Sequence, residues 1–205
     1  MRKKIHIGII NGGFGNISSV KNALNFLNLK NTILESPDKL RDYTHFIMPG
    51  VGSFKKASTR LRKNGWFDAL IDISKHRPIL GICLGMQLMF LQSNEDGVSK
   101  GIGFFNGNCE KFKSKKLPIP HIGFNHVFQQ KKTMIWKSIP NNSPFYFVHS
   151  YRVSKVNEKC MLSFSNYGEK FISVVEKDNL IGVQFHPEKS HTHGLAFIKN
   201  FSNIS

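Results

Sequence analysis

One segment constrains this chain more than any other: PILGICLGMQLMFLQ, residues 78–92. Its first part, Pro78 to Ile82, is a short apolar run of the length of a buried strand. Cys83-Leu84-Gly85 then forms a tight turn, and Met86 to Gln92 reads as a helix. Strand, sharp turn and helix in that order predict an α/β fold whose sheet is largely parallel and covered on both faces.

The rest of the first half repeats the pattern. Residues 5–10 (IHIGII) read as a strand ended by glycines, and 17–29 carry apolar residues at helical spacing (Val20, Ala23, Leu24, Leu27). Residues 31–34 read as a strand, with a turn beginning at Pro37. His45 to Met48 is another short strand, stopped by Pro49-Gly50-Val51-Gly52, and residues 54–74 read as helix with a break near Gly65. Past Gly101 strand-like runs dominate (103–105, 144–148, 171–175, 181–185), before a closing helix over 194–201. With no repeat, linker or composition shift, residues 1–205 read as one domain.

Within this frame, Gly81-Ile82-Cys83-Leu84-Gly85 has the G-x-C-x-G form of a nucleophile elbow. Flanking glycines relieve the crowding of a residue held at the tip of a strained turn. The N–H groups of the helix that follows face the sulfur, favouring the thiolate that attacks carbonyl carbon. A lone cysteine is more often a small core hydrophobe. The turn sets Cys83 apart from Cys109 and Cys160, which lie in polar, strand-like contexts and read as structural.

A cysteine nucleophile needs a base that takes and returns a proton. Of nine histidines, His186 stands where the apolar run Leu180–Phe185 ends at Pro187, so it emerges from the sheet edge. Glu188, two residues on, can turn its carboxylate back to fix the imidazole. An isolated histidine at a strand end is usually only surface or core. The proline, the carboxylate and the separate elbow together argue for more. Pro49-Gly50-Val51-Gly52 can bring backbone N–H groups close to a ligand, as an oxyanion site beside the Leu84 N–H, or can be a plain Pro-Gly turn. Asn11-Gly12-Gly13-Phe14-Gly15-Asn16 lacks the spacing of a dinucleotide loop, and His191-x-His193 lacks further metal ligands. No metal or cofactor is expected.

Composition excludes several classes. The formal net charge of +16 invites a nucleic-acid reading, but the lysines are scattered and the longest basic run is Arg2-Lys3-Lys4. A chain also rich in Asn, Ile, Phe and Ser looks like a genome-wide bias, and an acidic protein partner fits the charge better than nucleic acid. Three cysteines without a C-x-x-C pair argue against a disulfide scaffold or structural zinc. The apolar run after the basic N-terminus is too short for a signal peptide, and no stretch approaches the ~20 apolar residues of a membrane helix. A cytoplasmic location is expected.

Combined, PGVG at 49–52, GICLGMQLMF at 81–90, FYFVHSY at 145–151 and GVQFHPEKS at 182–190 resemble the class I (triad) glutamine amidotransferases. With PHIGFN at 120–125 and Gly194-Leu195 to Asn200-Phe201, the chain is similar to the branch that serves as glutaminase subunit of imidazole glycerol phosphate synthases. The resemblance spans nearly the whole chain. It implies a mixed central sheet flanked by helices on both faces, with Cys83 as nucleophile, His186 as acid and base, and Glu188 as its orienter. It further implies that Gly52, Gln87 and Glu95 hold glutamine, with Ser150 and Tyr151 near its α-carboxylate. Gly50, Val51 and Leu84 would form the oxyanion site, after a peptide flip coupled to the partner. Asn16, Phe124, Tyr146 and Lys189 would face that partner, a (β/α)8-barrel synthase subunit that receives ammonia.

Two positions depart from the pattern: Asn11-Gly12-Gly13 replaces a frequent Asp-Tyr-Gly, and Phe124 a frequent Trp. They leave open a paralogous glutaminase that feeds surface-polysaccharide amidine formation. A non-catalytic binding subunit would have lost triad residues, and a cysteine peptidase would not need Gln87 with the H-P-E triplet.

Overall fold

The computed structural model describes residues 4–113 and 117–204; of the basic run Arg2-Lys3-Lys4, only Lys4 falls among them. Five strands of the larger sheet come from the alternating segments of the chain. They are β1 (Ile7–Ile10), β2 (Asn31–Leu34), β3 (His45–Gly50), β4 (Ile79–Cys83) and β13 (Leu180–Val183), all mutually parallel. The sheet continues antiparallel through β12 (Lys170–Lys177), β11 (Met161–Asn166), β8 (His121–Gln129) and β9 (Ser143–His149). Its order is β2-β1-β3-β4-β13-β12-β11-β8-β9. The expected parallel sheet is thus half of a mixed one, as the family resemblance implied. A smaller sheet, ordered β10-β7-β5-β6, is built from β5 (Phe90–Ser93), β6 (Ser99–Lys100), β7 (Phe105–Lys111) and β10 (Tyr151–Ser154).

Alternation along the parallel strands divides the core in two. Ile7, Ile9, Ile47, Leu80 and Ile82 face helices α1 (Ile17–Phe26) and α5 (His191–Phe201). Phe46, Met48 and Ile79 face the other way. There they meet α2 (Phe54–Lys63), α3 (Trp66–Ile73), α4 (Leu84–Leu88) and the inner residues of the smaller sheet. A strand buried on both sides can be apolar at nearly every position, which is why these runs do not alternate in sequence. Among the described residues, no helix is long and apolar enough to cross a membrane.

Several boundaries differ from the expected ones. The first helix stops at Phe26 rather than Leu29, because Asn28 turns left-handed (φ 54°). The break near Gly65 is a left-handed glycine (φ 74°) that separates α2 from α3. The helix after the elbow begins at Leu84 and ends at Leu88; the chain then becomes β5, so Phe90, Leu91 and Gln92 are strand rather than helix. All five residues of α4 are buried, and an all-round apolar run carries no period by which to tell helix from strand. The last helix starts three residues early, at His191, and takes Gly194 into its first turn. A Cβ at Gly194 would lie 1.9 Å from the Pro187 carbonyl oxygen.

The elbow glycines act through packing more than through backbone freedom. A Cβ on Gly85 would sit 1.8 Å from the Met48 carbonyl oxygen, and one on Gly81 2.6 Å from the Met89 sulfur. On β3, a Cβ at Gly50 would come 2.6 Å from the Gly85 nitrogen. α4 can therefore lie directly on β3 only with glycine at these positions. Gly85→Ala is expected to destabilise the chain by about 2 kcal/mol or more in chemical denaturation, through overpacking against rigid backbone. An unchanged midpoint would refute this close approach.

Candidate active site

Cys83 is the last residue of β4 and caps α4, with φ 54° and ψ −110°. Positive φ at a non-glycine residue costs on the order of 1–3 kcal/mol and persists only where the surroundings hold it. Here β3 and β13 flank β4 on its two sides, with Gly50 opposite Cys83 and Val183 opposite Ile82. One residue past Val183, Gln184 sends its Nε2 to within 3.6 Å of the Cys83 sulfur.

The parallel pairing also positions the histidine expected to act as base. Beyond β13 the chain reaches His186, whose backbone N–H donates to the Tyr146 carbonyl (2.8 Å), and enters a 3₁₀ turn over Pro187–Lys189. Ser190 Oγ donates to the His186 carbonyl (2.6 Å) and accepts from the Tyr146 N–H (2.9 Å), pinning the loop to β9. Glu188 Oε1 stands 2.8 Å from His186 Nδ1, both side chains almost wholly buried. The ring's Nε2 has no well-formed hydrogen bond among the described residues. Burial pushes the imidazole pKa down, but the charge and hydrogen-bonding capacity of the Cys83 sulfur, with the Glu188 carboxylate, outweigh it and raise the value to about 10. The sulfur and the carboxylate together favour the doubly protonated ring.

A cavity of about 270 Å³ opens beside the sulfur. Of the residues singled out in the sequence, Val51, Gly52, Cys83, Leu84, Gln87, Glu95, Ser150 and Tyr151 all line it. Gly50 does not; it is buried behind the cavity against α4. Gln87 donates from Nε2 to the Tyr151 carbonyl and to Gln184 Oε1, both at 3.0 Å, which leaves its own carbonyl oxygen for a ligand. Glu95 Oε2 accepts from the Phe54 N–H (2.7 Å), tying the cavity to the start of α2 just past the Pro49–Gly52 loop. Burial and the neighbouring Asp96 raise the Glu95 pKa against that hydrogen bond.

Three residues that matter here were not singled out, although each lies in a quoted motif. Gln184 and Ser190 belong to the 182–190 segment and His149 to 145–151. For His149 and Gln184 the signal was a polar side chain inside or just past an apolar strand run, which has to find a partner in the interior; Ser190, at the start of α5, carried no such signal. Cys109 lies in a strand, β7, as expected, but in an apolar rather than a polar setting: it is fully buried, and burial pushes its thiol pKa up. Cys160 is half-buried and ends a 3₁₀ turn.

The four residues expected at a partner face are exposed or half-buried. The Phe124 ring lies 5.6 Å from Tyr146 and stacks on His191 at 5.2 Å, with Lys189 Nζ 5.8 Å over the Tyr146 ring. Asn16 caps α1, accepting from the Ser19 N–H (3.4 Å), and α1 forms one wall of a groove shared with Lys189 and His191. At the departing loop, a Cβ on Gly12 would meet the Phe14 ring at 2.4 Å, so Phe14 fills the space a larger residue 12 would need.

The glutamine amidotransferase class-I family model matches residues 9–204. The chain belongs to the class-I glutamine amidotransferases. Among its relatives in this family, "Imidazole glycerol phosphate synthase subunit HisH" of Leptospira interrogans is 38% identical over 97% of this chain and 100% of its own length. "Imidazole glycerol phosphate synthase subunit HisH 2" of Methanococcus maripaludis is 43% identical over 95% of this chain and 98% of its own. The fold also matches the structure of PurLQS from Thermotoga maritima, with a TM-score of 0.76 at 18% identity, covering 98% of this chain and 99% of that one.

For this amidotransferase, replacing Cys83 by Ala removes two of the influences that raise the His186 pKa and leaves the downward pull of burial. The imidazole is expected to titrate well below its native value in nitrogen-edited NMR. An unshifted titration would show that the sulfur does not act on the ring.

Proposed function

We propose that this chain is the glutaminase subunit of an imidazole glycerol phosphate synthase, acting as one glutamine amidotransferase domain over residues 1–205. The observation that carries the reading is that Cys83 lines a cavity with the residues expected to hold glutamine, while the buried His186–Glu188 pair behind it lies close enough for the sulfur to act on the imidazole.

In this mechanism Glu95 receives the α-ammonium of glutamine, and Ser150 and Tyr151 lie near its carboxylate. The acceptor oxygen of Gln87 meets the substrate's carboxamide N–H. The Cys83 sulfur attacks the amide carbon, and the developing oxyanion takes hydrogen bonds from the Leu84 N–H and from the Gly50–Gly52 loop. His186 gives its proton to the leaving nitrogen, and ammonia departs as the C–N bond breaks. The same ring then takes a proton from water, which attacks the glutamyl thioester and releases glutamate and the free thiol. Glu188 holds the ring's Nδ1–H and orients it throughout.

Ammonia leaves toward a (β/α)8-barrel synthase bound on the face of Asn16, Phe124, Tyr146 and Lys189. There it serves formation of the imidazole ring and an aminoimidazole carboxamide nucleotide in cytoplasmic histidine biosynthesis. The 38% and 43% identical relatives carry the name of that synthase, which favours this pathway over surface-polysaccharide amidation. The chain's surplus of basic residues suits an acidic partner face.

Replacing Cys83 by Ala is expected to abolish glutamine-dependent turnover of the complex and to leave ammonia-dependent turnover within about twofold, since the step with free ammonia never uses the sulfur. Glutamine turnover that survives the substitution would reject the assignment. Full glutaminase activity of the isolated native chain would reject the partner-coupled loop.

A further inference from the structure

From His149 in the cavity wall a chain of polar groups that the proposed mechanism does not use runs back into the interior. His121 on β8 and His149 on β9 stand directly opposite in the ladder and are both buried, with His121 Nδ1 3.0 Å from His149 Nε2. His149 Nδ1 lies 2.9 Å from the Tyr151 carbonyl, the same oxygen that accepts from Gln87. At the far end, Asn125 Nδ2 lies 3.3 Å from His121 Nε2 and donates to the Asn166 carbonyl (2.9 Å).

A carbonyl oxygen only accepts, so every proton in this chain has a forced place. His149 must carry its proton on Nδ1 to donate to Tyr151. Burial, outweighing the hydrogen bond to Tyr151, lowers the His149 pKa to about 3, and burial lowers that of His121 to about 4, so both rings are neutral. His149 Nε2 is then an acceptor, His121 must donate from Nδ1, and His121 Nε2 accepts from Asn125. The Tyr151 carbonyl, filled by His149 and Gln87, fixes which end of the Gln87 amide is Nε2. Gln87 in turn fixes Gln184, whose Nε2 is left to point at Cys83.

We propose that His149, held in one tautomer by His121 and Asn125, is a positioning residue that sets the amide orientations of Gln87 and Gln184. An acceptor oxygen thereby faces glutamine and an N–H faces the Cys83 sulfur. The inference rests on the glutaminase reading and extends it to a set of residues outside the triad. Asn125 follows Phe124 on β8, and His121, Phe124 and Asn125 share the ladder with β9, so this set begins on the strand that carries the expected partner face.

The test compares His149→Phe with His149→Asn in the complete complex. Phenylalanine keeps the ring volume among Phe112, Phe147 and Phe171 and removes the donor. Asparagine can place its Nδ2 near the lost Nδ1. His149→Phe is expected to raise the KM for glutamine on the order of tenfold or more, with a smaller fall in kcat and with ammonia-dependent turnover retained. His149→Asn is expected to bring KM back to within about threefold of native. An unchanged KM in the Phe variant, or equal losses in both variants, would overturn the proposal.

Ring nitrogen NMR of the native chain at neutral pH supplies a test independent of activity and of variant folding. Both His149 and His121 are expected as the neutral Nδ1–H form, and an Nε2–H or doubly protonated His149 would overturn the proposal. A native complex without any glutaminase activity would instead count against the glutaminase reading, while the NMR result would still decide the tautomers.

Discussion

Everything at this site depends on the parallel pairing of β13 with β4. Cys83 and Gln184 lie 101 positions apart in the chain, yet the ladder Leu180–Ile79 to Val183–Ile82 sets the two strand ends side by side. Hydrogen-bonded strands run about 4.8 Å apart, so residues just beyond the paired segment remain within side-chain reach of one another. A one-residue slip of that register would turn Gln184 to the opposite face and carry His186 away from the sulfur. Ile82 and Val183 lie opposite each other, fully buried in the same core, which opposes such a slip.

The second constraint is the absence of side chains where α4 meets β3. Strained backbone at Cys83 persists because glycines at 50, 81 and 85 let helix and sheet close on it from both sides. Packing specifies the geometry of Cys83, and the polar chain beside it reaches the sulfur through Gln184. Buried polar groups of this kind are costly unless each is satisfied, and here each ring nitrogen in the set has one compatible partner and the Gln87 and Asn125 amide nitrogens have two. Of the expected triad, Glu188 Oε2 and His186 Nε2 are the buried side-chain oxygen and nitrogen left without one among the described residues.

Much of the parallel half was legible because its strands are short apolar runs punctuated by glycine, with helical spacing between them. The antiparallel half was harder, and β8 shows why. Its inward position His121 is polar and its outward positions Ile122 and Phe124 are apolar, 60% and 51% exposed, so the usual alternation is inverted. Interior polarity serves the His121–His149 pair, and outward apolarity suits a face awaiting a partner. β10 and β11 were missed as short strands with mixed patterns, and α4 was extended into β5 because both are apolar. In the site, Cys83, His186 and Glu188 stood out by turn chemistry and spacing alone. The cavity residues Gln87, Glu95, Ser150 and Tyr151 came only through the family resemblance, since nothing local in the sequence joins them to Cys83. His149 and Gln184 act through partners far along the chain, which no local pattern reports.

The account stands on Cys83 as the atom that bonds to the substrate, with Cys109 shut in the core and Cys160 remote from the cavity. An electrophilic diazoketone analogue of glutamine, incubated with the complex and followed by peptide mass spectrometry, reads this directly. The account predicts a single adduct on the peptide carrying Cys83, formed in step with loss of glutamine-dependent turnover. Inactivation with the label on another residue, or on none, would contradict it.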